Sequence, residues 1–389
     1  MKILAIETSC DDTGVAILDV KGAKTPVFSV LSNVIASQIE VHKQYGGVYP
    51  FAAKREHEKN LQPTLEAALK EAKVFQKDID LIAVTNGPGL EPCLWVGVNF
   101  AKNLAKKWNV PLIPVNHIES HILVNFLNNE LCSCECDRTD NCIKFPAICL
   151  VVSGGHTQLI LMKGIGKYEI LGETRDDAAG ECFDKCAKIL GLGYPGGPAI
   201  AQLALQWKFE IRNSKFEIKL PRPMMHTKDY DFSFSGLKTA VLYAWQKIKT
   251  KDNKRLFAVR QKAVNEQLTI EFATEIQQAI IDVLLKKTIK AAKDYKAKTI
   301  ILGGGVSANS ELRRQFQEAV SKIYEIPCPR DRSNEVSSKK IKLLFPPANL
   351  STDNAVMTAI TGYFHRKDKV SIDIGSRTIS ADANISISK

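Results

Sequence analysis

The stretch Phe145-Pro-Ala-Ile-Cys-Leu-Val-Val-Ser-Gly-Gly-His-Thr-Gln-Leu-Ile-Leu-Met162 decides how the chain is read. Two apolar runs of strand length flank the polar Ser153-Gly-Gly-His-Thr157, so the segment predicts a β-hairpin with a glycine tip. Gly154 and Gly155 lack Cβ atoms, so the backbone there can take positive φ, approach a ligand and leave N–H groups for an oxyanion. Most such turns only reverse the chain. What makes this one informative is a partner: Lys2-Ile-Leu-Ala-Ile-Glu-Thr-Ser-Cys-Asp-Asp-Thr-Gly-Val-Ala-Ile-Leu18 has the same order of strand, polar turn and strand. A repeat at domain-sized separation predicts two similar halves, and ligands commonly bind in clefts between such halves.

At 389 residues, 45% hydrophobic and 24% charged, the chain has material for two cores. No apolar run approaches the ~18 residues of a membrane span. Glu7 and Asp11-Asp12 interrupt the apolar start where a signal peptide would continue, so the expected location is cytoplasmic. Ten cysteines there are thiols or ligands rather than disulfides. Cys10, Cys93, Cys149, Cys182, Cys186 and Cys328 read as core residues or inert thiols. Cys132, Cys134, Cys136 and Cys142 crowd one loop, but they lack the paired spacing of structural zinc sites, which favours a reduced surface loop. The net charge of +11 leans towards a polyanionic partner. Its lysines gather at Lys247 to Lys262 and at Lys286 to Lys298, as a phosphate-tracking surface or, by residue pattern alone, the solvated faces of two helices.

Outward from the hairpins, strands and helices alternate. A strand from Phe28 to Ile35 leads into the loop His42-Lys-Gln-Tyr-Gly-Gly-Val-Tyr-Pro50, and a helix is predicted from about Phe51 to Ala72. Ile79 to Val84 is a buried strand ending in Thr85-Asn-Gly-Pro-Gly-Leu90, with a helix from near Leu94 to near Trp108. That order belongs to an α/β layer, whose ligands gather at the carboxyl edge of the sheet. Pro111 to Val115 delivers the chain to His117 and His121, which on a helix share a face and can reach one metal ion. A satisfied pair of histidines is the commoner meaning of that spacing alone. A zinc-protease motif would have its glutamate directly after the first histidine, where Ile118 stands.

Further on, Gly172 to Leu190 predicts a helix with Asp184 inside it, and Gly191-Leu-Gly-Tyr-Pro-Gly-Gly-Pro198 a loop that wraps a ligand or turns the chain. Residues 207 to 219 read as a peripheral excursion, and Asp231 to Thr239 opens a long helical region. Thr299 to Arg313 repeats the grammar of buried strand, triple glycine and helix, leaving room for a flat or phosphorylated ligand at a helix N-terminus. It has neither P-loop nor dinucleotide spacing. Residues 329 to 342 are charged and read as mobile. Asp353, opening the last helix, is an N-cap or a metal ligand.

Together these stretches resemble the TsaD family, tRNA threonylcarbamoyladenosine transferases once described as glycoproteases. The resemblance runs, in family order, through Ile6-Glu-Thr-Ser-Cys-Asp-Asp-Thr-Gly14, His42 with Gly46-Gly47, Gly87 to Leu90, His117 with His121, Val151 to Thr157, Asp177 to Glu181 with Phe183-Asp184, Pro195 to Pro198, Asp231 to Gly236, Gly303 to Asn309 and Thr352 to Ala355. It implies an α/β, actin-like ATPase (ASKHA) fold, with two RNase H-like domains around a central cleft. The first domain would be residues 1–116, completed by a helix near 353–367. The second would be residues 117–352, with insertions near 130–144, 207–219 and 329–342, before a tail at 368–389.

The implied reaction moves the threonylcarbamoyl group from threonylcarbamoyl-AMP to N6 of the adenosine 3′ of the anticodon in tRNAs reading ANN codons. Carried over by position, His117, His121 and Asp353 would hold one divalent metal ion, Fe(II) ahead of Zn(II). Val151, Val152, Ser153, Gly154, Gly155, Asp184, Gly197 and Asn309 would bind the donor. TsaB-like and TsaE-like partners, with a TsaC-like donor synthase upstream, are implied by the bacterial pattern. Asp11, in the first hairpin turn and expected opposite the second, is the candidate for orienting or deprotonating the amine. Three positions depart from the family pattern: Phe51 stands where glutamate is common, Asp12 where glutamate is commoner, and Ala201 where a carboxylate is frequent. Of the rival readings, an actin-like ATPase or sugar kinase leaves the histidine pair without a task, a metalloprotease lacks its base, and a scaffold like the TsaB paralogue would lack the ligands present here.

Overall fold

A computed structural model of the protein describes all residues except 23–24, 129, 132–141, 211–217, 253–257, 324–340, 368–378 and 389. The opening apolar runs form β1 (Lys2–Glu7) and β2 (Asp12–Lys21), an antiparallel pair joined across the polar turn, with β3 (Val27–Ser37) antiparallel to β2. α1 (Ile39–Lys43) and α2 (Pro50–Ala72) lead to β4 (Leu81–Gly87), parallel to β1, and α3 (Glu91–Trp108) leads to β5 (Leu112–Asn116), parallel to β4. The sheet order is β3-β2-β1-β4-β5. After α4 (His117–Leu123) comes a short parallel pairing of β6 (Glu130–Leu131) with β7 (Cys142–Ile143).

The quoted hairpin forms β8 (Ala147–Val152) and β9 (Thr157–Gly164), followed by β10 (Lys167–Glu173). Then come α5 (Ala179–Leu190), α6 (Gly196–Glu210), α7 (Ser235–Asp252) and α8 (Ala258–Asp294). β11 (Thr299–Gly303) pairs in parallel with β8, α9 spans Ser310–Lys322, β12 spans Lys342–Leu344 and α10 spans Ala355–His365. The second sheet runs β10-β9-β8-β11-β12. Counted from the first strand of each set, that is the same order as in the first sheet, so the repeat seen in the two hairpins extends to all five strands. The chain forms two compact units, one of Met1–Phe145, Met162–Glu169 and Leu344–Lys389, the other of Pro146–Leu161 and Ile170–Leu343.

Central strands are apolar without interruption because helices cover both faces of the sheet. In the first unit Leu4, Ile6, Val15, Ile17, Ile82 and Val84 form one core with Leu61 and Leu65 of α2 and Val98 and Ala101 of α3. Ala83, pointing the other way by the two-residue alternation of a strand, meets Gly362 of α10. Several boundaries differ from those expected. His42 lies in α1 rather than in a loop, because its buried ring is held from both nitrogens. α6 starts inside the glycine-rich stretch, since Asp184 Oδ1 accepts the Gly196 N–H at 2.7 Å and satisfies a donor at the helix start. The long helical region divides into α7 and α8. Cys132, Cys134, Cys136 and Cys328 lie outside the described residues. Cys10, Cys93, Cys149, Cys182 and Cys186 are free thiols, all buried but the half-buried Cys10. Among the described residues no helix is long and apolar enough to cross a membrane.

A Cβ on Gly362 would sit 2.6 Å from the Ala83 Cβ, so this glycine sets how closely α10 lies on the sheet. Gly362→Ala gains about 1 kcal/mol of helix propensity and meets an overpacking cost of about 1–3 kcal/mol against a stiff neighbour. The expected result is a net loss of stability, read as a lower urea midpoint at unchanged slope; a higher midpoint would show that the helix has room.

Candidate functional site

The turn from β5 into α4 positions the histidine pair. Asn116 caps α4, its Oδ1 accepting the Ile118 and Glu119 N–H groups at 2.9 and 3.1 Å. One turn apart, His117 and His121 are both buried, with ring centroids 4.6 Å apart. Asp353 joins them: its Oδ1 lies 3.1 Å from His121 Nε2 and 3.6 Å from His117 Nε2. The helix start falls differently from expectation, because Asn354 is the N-cap of α10, accepting the Met357 N–H at 3.1 Å. Asp353, one residue earlier, is left to face the histidines.

Behind His117 lies a buried carboxylate whose role the sequence reading missed. Glu7 Oε1 accepts the Ser9 N–H at 2.7 Å, while Oε2 accepts the hydroxyls of Thr85 and Thr358 and lies 3.5 Å from His117 Nδ1. Ser9 Oγ is 3.1 Å from the same nitrogen. Burial works against an ionised Glu7, but His117 and the hydrogen bonds outweigh it and hold its carboxyl below the usual range. Burial likewise disfavours a charged His117, yet Asp353 and Glu7 raise it to about 9; at His121 burial wins, helped by His117, and its pKa falls. His121 Nδ1 is buried without a hydrogen-bond partner, and Nε2 has the Asp353 carboxylate beside it. Two imidazoles and one carboxylate offer ligand atoms all within 4.8 Å of one another. That donor set, with an orphaned nitrogen and a carboxylate backing one ring, fits a first-row divalent cation. Glu119, the acid nearest a protease pattern, is occupied by the Tyr168 hydroxyl at 2.7 Å and His365 Nε2 at 2.9 Å.

In the second unit the hairpin tip closes as a tight turn, Ser153 N–H to the His156 carbonyl at 2.8 Å. Neither Gly154 nor Gly155 takes positive φ, contrary to the expectation; what glycine provides there is space, since a Cβ on either would meet nothing within 4 Å. The tip rests on the start of α5, with Gly180 N–H donating to the Ser153 carbonyl at 3.2 Å and Ala179 N–H to Thr157 Oγ1 at 2.9 Å. A Cβ on Gly180 would come 2.6 Å from that carbonyl oxygen. Gly304, with φ of +84°, passes so close to Val152 that a Cβ would lie 2.3 Å from its carbonyl oxygen. Hairpin tip, α5 and the triple-glycine turn thus meet at the carboxyl ends of β8 and β11. Val151 and Val152 are fully buried, so only their backbone can face a ligand. Asp184 holds the start of α6, and Asn309 caps α9 through Leu312 N–H while its amide donates to Gln277 Oε1 at 2.7 Å. Gly197 leaves open space, with Phe183 Cβ the near neighbour at 3.9 Å.

Of Lys286, Lys287, Lys290 and Lys293 on α8 only Lys287 is buried, and three of them also contact a neighbouring segment. Lys286 contacts His226, Lys290 donates to the Lys228 carbonyl, and Lys287 is buried with its Nζ on Thr227 and Asp229. They fasten the segment before Asp231 to the helix. Of the first cluster, Lys254 and Arg255 lie outside the described residues.

The solved structure of full-length HypF in a phosphate- and nucleotide-bound form matches 95% of this chain and 56% of its own at a TM-score of 0.51 and 11% identity, which shows a shared fold. The class is therefore an actin-like ATPase fold carrying an imidazole and carboxylate cluster suited to a cation. Residues 29–360 match the family described as "TsaD: tRNA N6-adenosine threonylcarbamoyltransferase". Proteins named tRNA N6-adenosine threonylcarbamoyltransferase from Syntrophomonas wolfei and Persephonella marina are 44% and 45% identical, over 93% and 95% of this chain and 92% and 91% of theirs. One from Thermosipho africanus is 44% identical over 100% of both chains. The chain belongs to the TsaD family of tRNA-modifying transferases.

The turn between β1 and β2 carries two further carboxylates. Burial first, then Asp353, raises the pKa of Asp11. Burial, followed by the charges of Asp11 and Asp353, lifts Asp12 from 3.8 to about 7 against the opposing hydrogen bond from Ser37, and its Oδ1 has no partner. The fold therefore favours protonated Asp12: its cost is absent below the unfolded pKa near 4 and grows as pH rises to about 7. In metal-free protein, Asp12→Asn should raise the melting temperature at pH 8 and leave it nearly unchanged at pH 4. Equal melting curves at pH 8 would show that Asp12 ionises without cost.

Proposed function

We propose that the chain transfers the threonylcarbamoyl group from threonylcarbamoyl-AMP to N6 of the adenosine 3′ of the anticodon in tRNAs reading ANN codons. The observation that carries this reading is the His117, His121 and Asp353 cluster, intact and backed by Glu7, in a chain of the TsaD family. In the reaction the N6 lone pair attacks the carbamoyl carbon of the mixed anhydride, the bond from that carbon to the phosphate oxygen breaks, AMP leaves and the amine gives up a proton. The adenine amine is a weak nucleophile, so positioning and the activated donor supply much of the rate.

His117, His121 and Asp353 would hold one divalent ion, Fe(II) ahead of Zn(II), and a bound cation there supplies positive charge for the donor's phosphate. Glu7 keeps the His117 ring oriented through Nδ1, which directs Nε2 towards the ligand set. Gly154 and Gly155 would present backbone N–H groups to oxyanions of the donor, the Ser153 N–H being held by the His156 carbonyl, and the absence of side chains at the two glycines leaves it room. Asp184 from within α5, Gly197 in the first turn of α6 and Asn309 at the cap of α9 would line the donor site. Asp11, in the turn between β1 and β2, is the candidate for orienting the amine or taking its proton. Transfer in the cytoplasm with TsaB-like and TsaE-like partners, supplied by a TsaC-like synthase, completes the reading.

Incubation with labelled threonine, bicarbonate, ATP, tRNA and those partners tests it. Label should enter tRNA, and His121→Ala should remove bound metal and cut transfer by roughly a hundredfold or more. ATP hydrolysis without label in tRNA would favour the kinase-like alternative. Gly154→Val should abolish donor binding with tRNA affinity retained, and Asp11→Asn should slow transfer with both substrates bound. Wild-type rates for Asp11→Asn at saturating donor and tRNA would remove it from the chemistry.

A further inference from the structure

Between α1 and the first turn of α2, three aromatic side chains stand in solvent: Tyr45, Tyr49 and Phe51, exposed by 50, 44 and 62%. Elsewhere in the described chain only Phe75 and Tyr243 among aromatic residues are comparably exposed. The three are arranged on one another. The Tyr45 and Tyr49 rings stack with centroids 5.2 Å apart and planes 27° from parallel, and Phe51 leans on Tyr49 at 6.3 Å.

Their backbone is fixed from below. The Tyr45 and Gly46 N–H groups donate to the His42 carbonyl at 3.0 and 3.1 Å, the Tyr49 N–H donates to His42 Nδ1 at 3.3 Å, and Pro50 opens α2. His42 Nε2 reaches Gln38 Oε1 at 3.1 Å, and the Gln38 amide lies 3.4 Å from the Nδ1 of buried His57. His57 completes the chain of contacts, its Nε2 donating to the Cys10 carbonyl at 3.0 Å beside Asp11. The platform is therefore built on the same buried framework as the Asp11 turn. Arg55 donates from Nε to the Phe51 carbonyl at 3.2 Å, which puts a guanidinium at the foot of the rings.

We infer that Tyr45, Tyr49 and Phe51 form a stacking platform for an unpaired base of the tRNA anticodon loop, with Arg55 towards the adjoining phosphate. This rests on the proposed tRNA substrate. Splayed bases of single-stranded loops are gripped by aromatic faces, a mode that tolerates sequence because every base has a π-face. The large apolar side chains exposed in this segment are all aromatic, with no exposed Leu, Ile or Met, and a cation adjoins them. Arg55 supplies the cation that the phosphate of a stacked base needs and the proposed substrate supplies unpaired loop bases; because aromatic and arginine side chains also anchor protein contacts, the test carries that outcome too.

The test uses the full-length chain and a fluorescent, unmodified anticodon stem-loop of a tRNA reading an ANN codon, with a fully paired RNA duplex of equal length as control. The triple substitution Tyr45→Ala, Tyr49→Ala and Phe51→Ala should raise the stem-loop Kd about tenfold or more, while duplex affinity, melting temperature and metal content stay as in wild type. The ring-retaining set Tyr45→Phe, Tyr49→Phe and Phe51→Tyr should keep stem-loop affinity within about twofold, and Phe51→Glu alone should weaken it. An unchanged stem-loop Kd in the triple alanine variant overturns the inference, and so does loss of self-association or of a co-purifying TsaB-like protein at unchanged Kd, which would make the surface a protein interface. If wild type neither binds the stem-loop nor transfers label to tRNA, the functional reading fails and takes this inference with it; transfer without dependence on the rings removes the inference alone.

Discussion

A buried carboxylate is the constraint on which the first unit depends. Glu7 ends β1, and its two oxygens are met by groups from the β1–β2 turn, β4, α4 and α10. An ionised carboxylate out of water costs several kcal/mol unless donors surround it. Four elements must therefore arrive together before the charge is tolerable. The same requirement orients the His117 ring, because Nδ1 faces that carboxylate and Nε2 is turned to Asp353. Stability and ligand geometry in this unit are consequences of one electrostatic demand.

The two units share a strand order and divide the chemistry by type. In the first, side chains make up the candidate site: two imidazoles and a carboxylate brought together by a short capped helix and the entry to α10. In the second, backbone dominates, with glycines letting a hairpin tip, a helix start and a strand end crowd into one corner. A duplicated frame can diverge this way because the carboxyl edge of such a sheet presents loops whatever their sequence. The helices behind it only need to stay apolar on their inner faces.

Much of this was legible in the sequence, and what was not has identifiable causes. Apolar runs and glycine turns marked the strands, and the four-residue spacing of His117 and His121 held because α4 is helical. Cap assignment at the last helix slipped by one residue, since Asp353 and Asn354 are both good caps and only backbone angles decide between them. Positive φ at Gly154 and Gly155 was a fair inference from composition, but tight turns accept glycine for its size as well. Glu7 escaped notice because a lone acid in an apolar run does not announce its partners, which come from residues far along the chain. The network of His42, Gln38 and His57 was hidden for the same reason. Lys286 and Lys293 of α8 are exposed, as a solvated helix face has it, but the burial of Lys287 was not legible because charge counts ignore what each ammonium touches.

The adjacency of Asp353 and Asn354 has an implication for how such a site can change. Capping falls to Asn354, whose side chain also donates to the Leu350 and Thr352 carbonyls, so three bonds at the start of α10 come from the residue after the acid. Division of labour between consecutive residues separates the cap of α10 from the acid that meets the two histidines. A substitution at position 353 would therefore change the charge beside the histidines while leaving the Asn354 cap of α10 in place.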